Sequence, residues 1–365
     1  MPRKTCDYPV LFTTILLVSI GIVMIFSASY YYAFHRFGDY YYFFKRQLGW
    51  AAVGLLAMIF TMNFDYWRLE KFGKPLLLVS IIMLAALFIP GVGIETNEAV
   101  RWLGIGSFRI QPSEVAKLAL ILYMASSMAR KKEAMTTFTK GVLPYVIVLI
   151  ILFGLIIKQP NLSTAGIIVM LGFILMFVGG TKLWHLIILI VLGGAGAAYF
   201  VTSAEYRMER LMSFTDPWSD PLDTGYQVIQ SLYSLGSGGL FGTGLANSMQ
   251  KYLYIPEPQT DFIFAIIGEE LGFIGAVTVI ILFMVLIWRG IKIAITAPDS
   301  FSCFVATGIT SMIALQVILN IAVVTSSVPP TGVPLPFITY GGSSLVITMA
   351  SVGILLNISR YAKMN

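Results

Sequence analysis

The chain has 365 residues, 57% hydrophobic and only 12% charged, with a formal net charge of +6. Its apolar residues come in long runs rather than at amphipathic spacing, which excludes an ordinary soluble domain and indicates a polytopic membrane protein. The basic residues alternate between loops instead of gathering on one soluble module, so nucleic-acid binding is a poor explanation for the charge.

The runs predict transmembrane segments at 9–29, 47–63, 75–90, 112–128, 141–158, 164–180, 183–202, 262–288, 302–325 and 342–359. The expected fold class is therefore an all-α polytopic membrane protein of about ten transmembrane helices, forming a single domain over 1–365. Arg3 and Lys4 before a run ending in SAS at 27–29 resemble a signal peptide. The length of that run and the lack of a soluble domain after it favour an uncleaved anchor. The excess of Lys and Arg, with ARKK at 129–132 its strongest cluster, places both termini in the cytoplasm.

With that orientation, 91–111, the large loop 203–261 between spans 7 and 8, and 326–341 share the extracytoplasmic face, where they can build one site. The inner loops contain neither a Walker A loop nor a Rossmann fingerprint, which argues against an ATP-driven pump. Cys6 and Cys303 suggest no disulfide framework, and His35 and His185 lack the partners of a zinc site or a catalytic triad.

Several polar residues stand out in chain order. Arg101 and Arg109 precede the fourth span and are candidates for binding phosphate, or are simply solvated. Glu114 and Lys117, at i and i+3, either form an internal pair or line a substrate cavity. Lys158, in KQPNLSTAG, either snorkels to the headgroups or meets an anionic ligand. EYRMERLMSF, with Tyr206 and Arg210 one turn apart, reads as an amphipathic helix that lies on the membrane or contacts substrate.

The glycine-rich SLYSLGSGGLFGTGL at 231–245 suits tight packing or close approach to a ligand. Asp261 stands where the polar PEPQT meets an apolar run. Alone it could be a helix N-cap. Glu257 nearby, and Glu269 and Glu270 within the run, suggest carboxylates facing a polar cavity or a cationic partner, because a charge at depth costs about 2.5–3.5 kcal/mol. PPTGVPLPFITYGGSS at 329–344 is too punctuated for a span and reads as an ordered loop or re-entrant turn.

Together RWLGIGSFRIQPSEVAKL, YQVIQSLYSLGSGGLFGTGL, PEPQTDFIFAIIGEELGFIG and TGVPLPFITYGGSS resemble the SEDS family of shape, elongation, division and sporulation proteins over essentially the whole chain. DPWSDPLDTGYQVIQSLYSLG and YIPEPQTDFIFAI look most like its FtsW/SpoVE branch rather than RodA. The resemblance implies a peptidoglycan glycosyltransferase that polymerises lipid II outside the bacterial plasma membrane, with a class B penicillin-binding protein as transpeptidase partner. Asp261 matches the family's essential aspartate, Glu114 and Lys117 its polar residues in the fourth span, Arg101 its upstream basic position, and Pro334 to Ser344, with Ser343 and Ser344, its final signature. Asn161 and Ser163 stand where the family usually has Asp and Gly, so no carboxylate role carries over there. VVTSSVPPTG lacks the glycine usual after VVT.

A glycosyl donor carrying a diphosphate needs a base for the acceptor hydroxyl and cations for the leaving group. The expected mechanism has Asp261 as base, with Arg101, Arg109, Arg210, Lys117 or a divalent cation (Mg2+ or Mn2+) at the diphosphate and no organic cofactor. Lys158, Glu257, Ser343 and Ser344 complete the expected substrate contacts. The rival functions are a lipid II flippase, which needs polar contacts at both ends and the middle of the bundle, and a non-enzymatic division scaffold, which tolerates substitution of Asp261.

Overall fold

Long apolar stretches without proline or charge satisfy their backbone polar groups internally only as helices, and this requirement shapes most of the molecule. The computed structural model describes residues 5–363 except 97–98, 106–107, 203–207, 209–213, 222–224 and 252–255. Within these residues the chain is mostly helical. Its helices are α1 (Tyr8–Phe37), α2 (Tyr42–Asn63), α3 (Tyr66–Ala86), α4 (Pro112–Lys131), α5 (Leu143–Ile157), α6 (Leu162–Val178), α7 (Leu183–Thr202), α8 (Tyr226–Ser237), α9 (Ile263–Ile295), α10 (Ser300–Val324) and α11 (Gly342–Ser359).

Six helical stretches among the described residues are long and apolar enough to cross a membrane: α1, α2, Phe138–Ile157, α9, α10 and α11. Each predicted span falls on a helix, but several boundaries move. The helix predicted at 75–90 is α3, Tyr66–Ala86, because its charged first turns continue the helix beyond the apolar run. The amphipathic stretch predicted around Tyr206 and Arg210 lies largely outside the described residues.

The loop at 91–111 departs from the all-α expectation. It folds into a three-stranded antiparallel sheet, β1 (Gly93–Thr96), β2 (Ala99–Ile105) and β3 (Phe108–Ile110). Ile94 pairs with Trp102 while Glu95 pairs with Val100, so Arg101 is the extra residue of a bulge. Bulges re-aim side chains, and this one lies in the strand leading towards α4.

Small residues let the helices approach closely. Gly353 of α11 meets α2, where an added Cβ would come within 2.4 Å of the Met58 carbonyl, and the Thr61 hydroxyl donates across the same seam to Ala350 O at 2.8 Å. Gly73 of α3 likewise approaches the Leu122 carbonyl of α4. Such contacts replace the hydrophobic driving force that is weak between helices in lipid. α4 is enclosed along most of its length, including Glu114 and Lys117.

The predicted span 262–288 is α9, and it is interrupted. Gly272 has φ 68° and ψ −169°, a conformation essentially confined to glycine. The glycine-rich turn after α8 repairs the ladder at this break. Thr243 N donates to Glu269 O at 2.9 Å and Gly244 N to Glu270 O at 3.0 Å, while Phe273 N and Ile274 N donate to Gly239 O and Leu240 O at 2.9 and 3.2 Å. The small residues are required because a Cβ on Gly272 would come within 2.3 Å of Gly242 N. Gly272→Ala should therefore lose at least about 1–3 kcal/mol from backbone strain alone, read as a lower unfolding temperature in detergent; unchanged stability would contradict this account of the break.

Candidate active site

The segment before α9 and the proline-rich segment before α11 meet around Asp261. Asn320 of α10 holds them together, its Nδ2 donating to Asp261 O and to Val333 O, both at 2.8 Å. Tyr340 N donates to Gln259 O at 2.9 Å, and the Thr339 hydroxyl donates to Thr260 O at 3.3 Å. PPTGVPLPFITYGGSS is thus an ordered loop bound to the PEPQTD segment.

The Asp261 carboxylate is not consumed by capping. α9 begins after Phe262, which occupies the N-cap position without a side-chain cap. Gly332 passes so close that a Cβ there would lie 3.2 Å from Asp261 Oδ2. Burial pushes the Asp261 carboxyl up to about 6, the Glu257 carboxylate pushes in the same direction, and the Arg101 guanidinium opposes both. A carboxylate in that range is suited to general-base work near neutral pH. Gly332→Ala should displace this carboxylate and reduce turnover about tenfold with stability nearly unchanged, since small misplacements of a reacting group are costly. Wild-type turnover in that variant would remove Gly332 from the site.

Arg101, aimed by the bulge of β2, donates from Nε to Gln159 O at 3.0 Å and from Nη2 to Pro160 O. The short turn between α5 and α6 is thereby bound to the sheet. Asn161 of this turn caps α6, its Oδ1 accepting from Thr164 N at 3.2 Å. Asn161 therefore performs a structural task that an Asp would also perform. Lys158, beside this turn, is exposed, as is Arg109 on β3. Arg210 lies outside the described residues.

Glu114 and Lys117 form the expected pair, buried and 2.8 Å apart. The Ser344 hydroxyl donates to Glu114 Oε2 at 3.2 Å, and Gln111 N donates to Ser343 Oγ at the same distance. The first turns of α4 and α11 are thus joined. Glu257 sits at φ 46°, with its carbonyl accepting from Thr260 N and from the Thr260 hydroxyl. Gln259 Oε1, Asn320 Oδ1 and Thr331 Oγ1, all in or beside these segments, are buried without hydrogen-bond partners among the described residues. The sequence carried no signal for them, because single amides and hydroxyls in loops are common.

Glu269 and Glu270 belong to a separate, enclosed network. Glu270 pairs with the fully buried Lys251 at 3.0 Å and also accepts from the Ser27 hydroxyl and Ser248 N. Glu269 accepts from the hydroxyls of Ser234 and Ser248, at 2.9 and 2.6 Å, and from Met249 N at 2.7 Å. The cationic partner expected for these carboxylates is Lys251.

The chain is similar to known proteins over its whole length. A family model described as "Cell cycle protein", for FtsW, RodA and SpoVE, matches residues 8–364. Stage V sporulation protein E of Bacillus subtilis (strain 168) is 47% identical over 362 residues, covering 99% of each chain. A probable peptidoglycan glycosyltransferase FtsW of Trichlorobacter lovleyi is 43% identical over 363 residues, covering 98% of this chain and 94% of that protein. A structure described as "Structural coordination of polymerization and crosslinking by a peptidoglycan synthase complex" superposes with a TM-score of 0.82 at 28% identity, over 99% of both chains. The rod shape determining protein RodA of Thermus thermophilus does so with a TM-score of 0.73 at 26% identity, over 99% of this chain and 98% of that one.

Proposed function

The chain belongs to the FtsW/RodA/SpoVE family, and from that premise we propose that it polymerises lipid II into glycan strands on the outer face of the bacterial plasma membrane. It is a multi-pass membrane protein and a peptidoglycan glycosyltransferase. Ten spans with both termini in the cytoplasm, and the segment 203–261 between spans 7 and 8 outside, put the Asp261 site on the side where the growing wall lies. The observation that carries the reading is a carboxylate that caps no helix, on a residue whose backbone Asn320 ties to the facing loop, and that burial raises to about 6.

In the proposed reaction Asp261 takes the proton from the 4-hydroxyl of the acceptor's GlcNAc as that oxygen attacks C1 of the donor's MurNAc. The bond from C1 to the diphosphate oxygen breaks, its electron pair leaves with undecaprenyl diphosphate, and C1 inverts. Diphosphate is already a good leaving group, so the site needs cations rather than a strong acid. Arg101 and Arg109 supply positive charge near Asp261 and Tyr340. Among the described residues no group of three or more His, Cys, Asp or Glu gathers around a common point. A divalent cation, Mg2+ or Mn2+, would therefore enter with the substrate's diphosphate rather than occupy a cage built by those residues.

The partner proposed for crosslinking is a class B penicillin-binding protein. The test is lipid II polymerisation by the purified chain with such a partner whose transpeptidase is blocked by a β-lactam. Uncrosslinked glycan ladders are expected, and their absence from a folded complex would overturn the proposal.

A further inference from the structure

The first turn of α11 is built to receive an anion. Gly341 is its N-cap, and no side chain caps the turn. The first intrahelical bond runs from Leu345 N to Gly341 O at 3.0 Å, which leaves the N–H groups of Gly342, Ser343 and Ser344 outside the helix's own bonding. They stand at the positive end of the dipole of an 18-residue helix.

A second observation comes from α2. Gln47 is 0% exposed, and both its Oε1 and its Nε2 lack a hydrogen-bond partner among the described residues. Its helical neighbours fix where it points. Phe43, one turn earlier, packs edge-on against Tyr340 with ring centroids 4.9 Å apart. Trp50, almost one turn later, lies against Gly342, where an added Cβ would come within 2.3 Å of the indole Cε2. Gln47 is therefore directed at the 340–342 backbone, where its amide adds a donor and an acceptor to the free N–H groups. Ser113 Oγ, in the α4 turn joined to Ser343, is likewise buried and unpartnered among the described residues.

The surrounding charges favour an anion. Arg46 adjoins Gln47, lies over the Tyr42 ring at 4.4 Å and hydrogen-bonds with Tyr340. Glu114, the nearby carboxylate, is neutralised by Lys117. We propose that the α11 N-terminus, with Gln47 and Arg46, is the subsite for the diphosphate of the lipid-linked donor. The subsite rests on the polymerase reading only for the identity of its ligand. It assigns the leaving group to preorganised N–H donors, while Arg101 is engaged with the carbonyls of Gln159 and Pro160.

The probe is farnesyl diphosphate, a short isoprenoid without sugar, titrated against the purified full chain in detergent beside farnesol and a short-chain phosphatidylglycerol. Wild type should bind the diphosphate at least tenfold more tightly than either control, and Gln47→Leu should lose about tenfold. Arg46→Ala, at a partly exposed position, should lose severalfold and serves if the buried Leu variant unfolds. Diphosphate binding unchanged in a folded Gln47→Leu or in Arg46→Ala would overturn the subsite. Phosphatidylglycerol binding as tightly as farnesyl diphosphate would overturn its assignment to the donor. Binding requires no turnover, so Gln47-dependent diphosphate binding without glycan synthesis would count against the polymerase reading and leave the subsite standing.

Discussion

Asp261→Asn should lower glycan synthesis about 10²–10⁴-fold, the range a positioned general base contributes, while the variant folds and is more stable than wild type near neutral pH. The rate loss follows from removing the proton acceptor at a position where Asn320 fixes the backbone of the two loops and Gly332 passes close to the carboxylate. The gain in stability follows from linkage. Because the folded carboxyl titrates at about 6 rather than 3.8, the native state holds the proton more tightly, and the stability this supplies at low pH is lost as pH rises through 6. At pH 7 and above the ionised group is a liability of up to about 3 kcal/mol, and Asn removes it. Glycan synthesis in Asp261→Asn at near-wild-type rate would return this residue to a structural role and favour the scaffold reading. Lost activity with lost stability would mean that the residue holds the loops rather than the proton.

The second large effect should come from Lys251→Met. Glu270 and Lys251 are both fully enclosed, and removing one member of a buried pair typically costs about 3–5 kcal/mol because the remaining charge is stranded. Thermal unfolding in detergent should show the loss. The double variant Lys251→Met, Glu270→Gln should recover most of it, since Gln keeps one acceptor oxygen for Ser248 N and turns its amide NH2 to donate to the Ser27 hydroxyl oxygen. A single variant as stable as wild type would show that the pair contributes little. The network fastens the segment after the glycine-rich turn to α9 beside its break at Gly272, eleven residues beyond Asp261, so the single variant should lose activity along with stability.

Much of the scaffold was legible because apolar runs in a membrane have few conformations open to them. The positions of the long helices followed from that, and Asp261 followed from the abrupt change between PEPQTD and FIFAII. The break at Gly272 was not legible. ELGFIG reads as continuous helix, and only the backbone of residues 238–244 docked against it makes a non-helical φ and ψ affordable. Lys251 and Glu270 are separated by the proline-containing PEPQTD segment and the first two turns of α9, so their pairing had no local signature. The sheet at 91–111 was hidden by short strands, and with it the bulge that aims Arg101. Gln47 sits within an apolar helix, where a single amide reads as incidental until its burial without a partner is known.

The most direct test of Asp261 as the base is the pH dependence of kcat/KM for lipid II polymerisation by the chain together with the class B penicillin-binding protein proposed as its partner, from pH 5 to 8. The rate should be constant above neutrality and fall towards tenfold per pH unit below about 6, as the carboxylate gains its proton. A profile flat across that range, or the same acid limb in the residual activity of Asp261→Asn, would contradict the assignment.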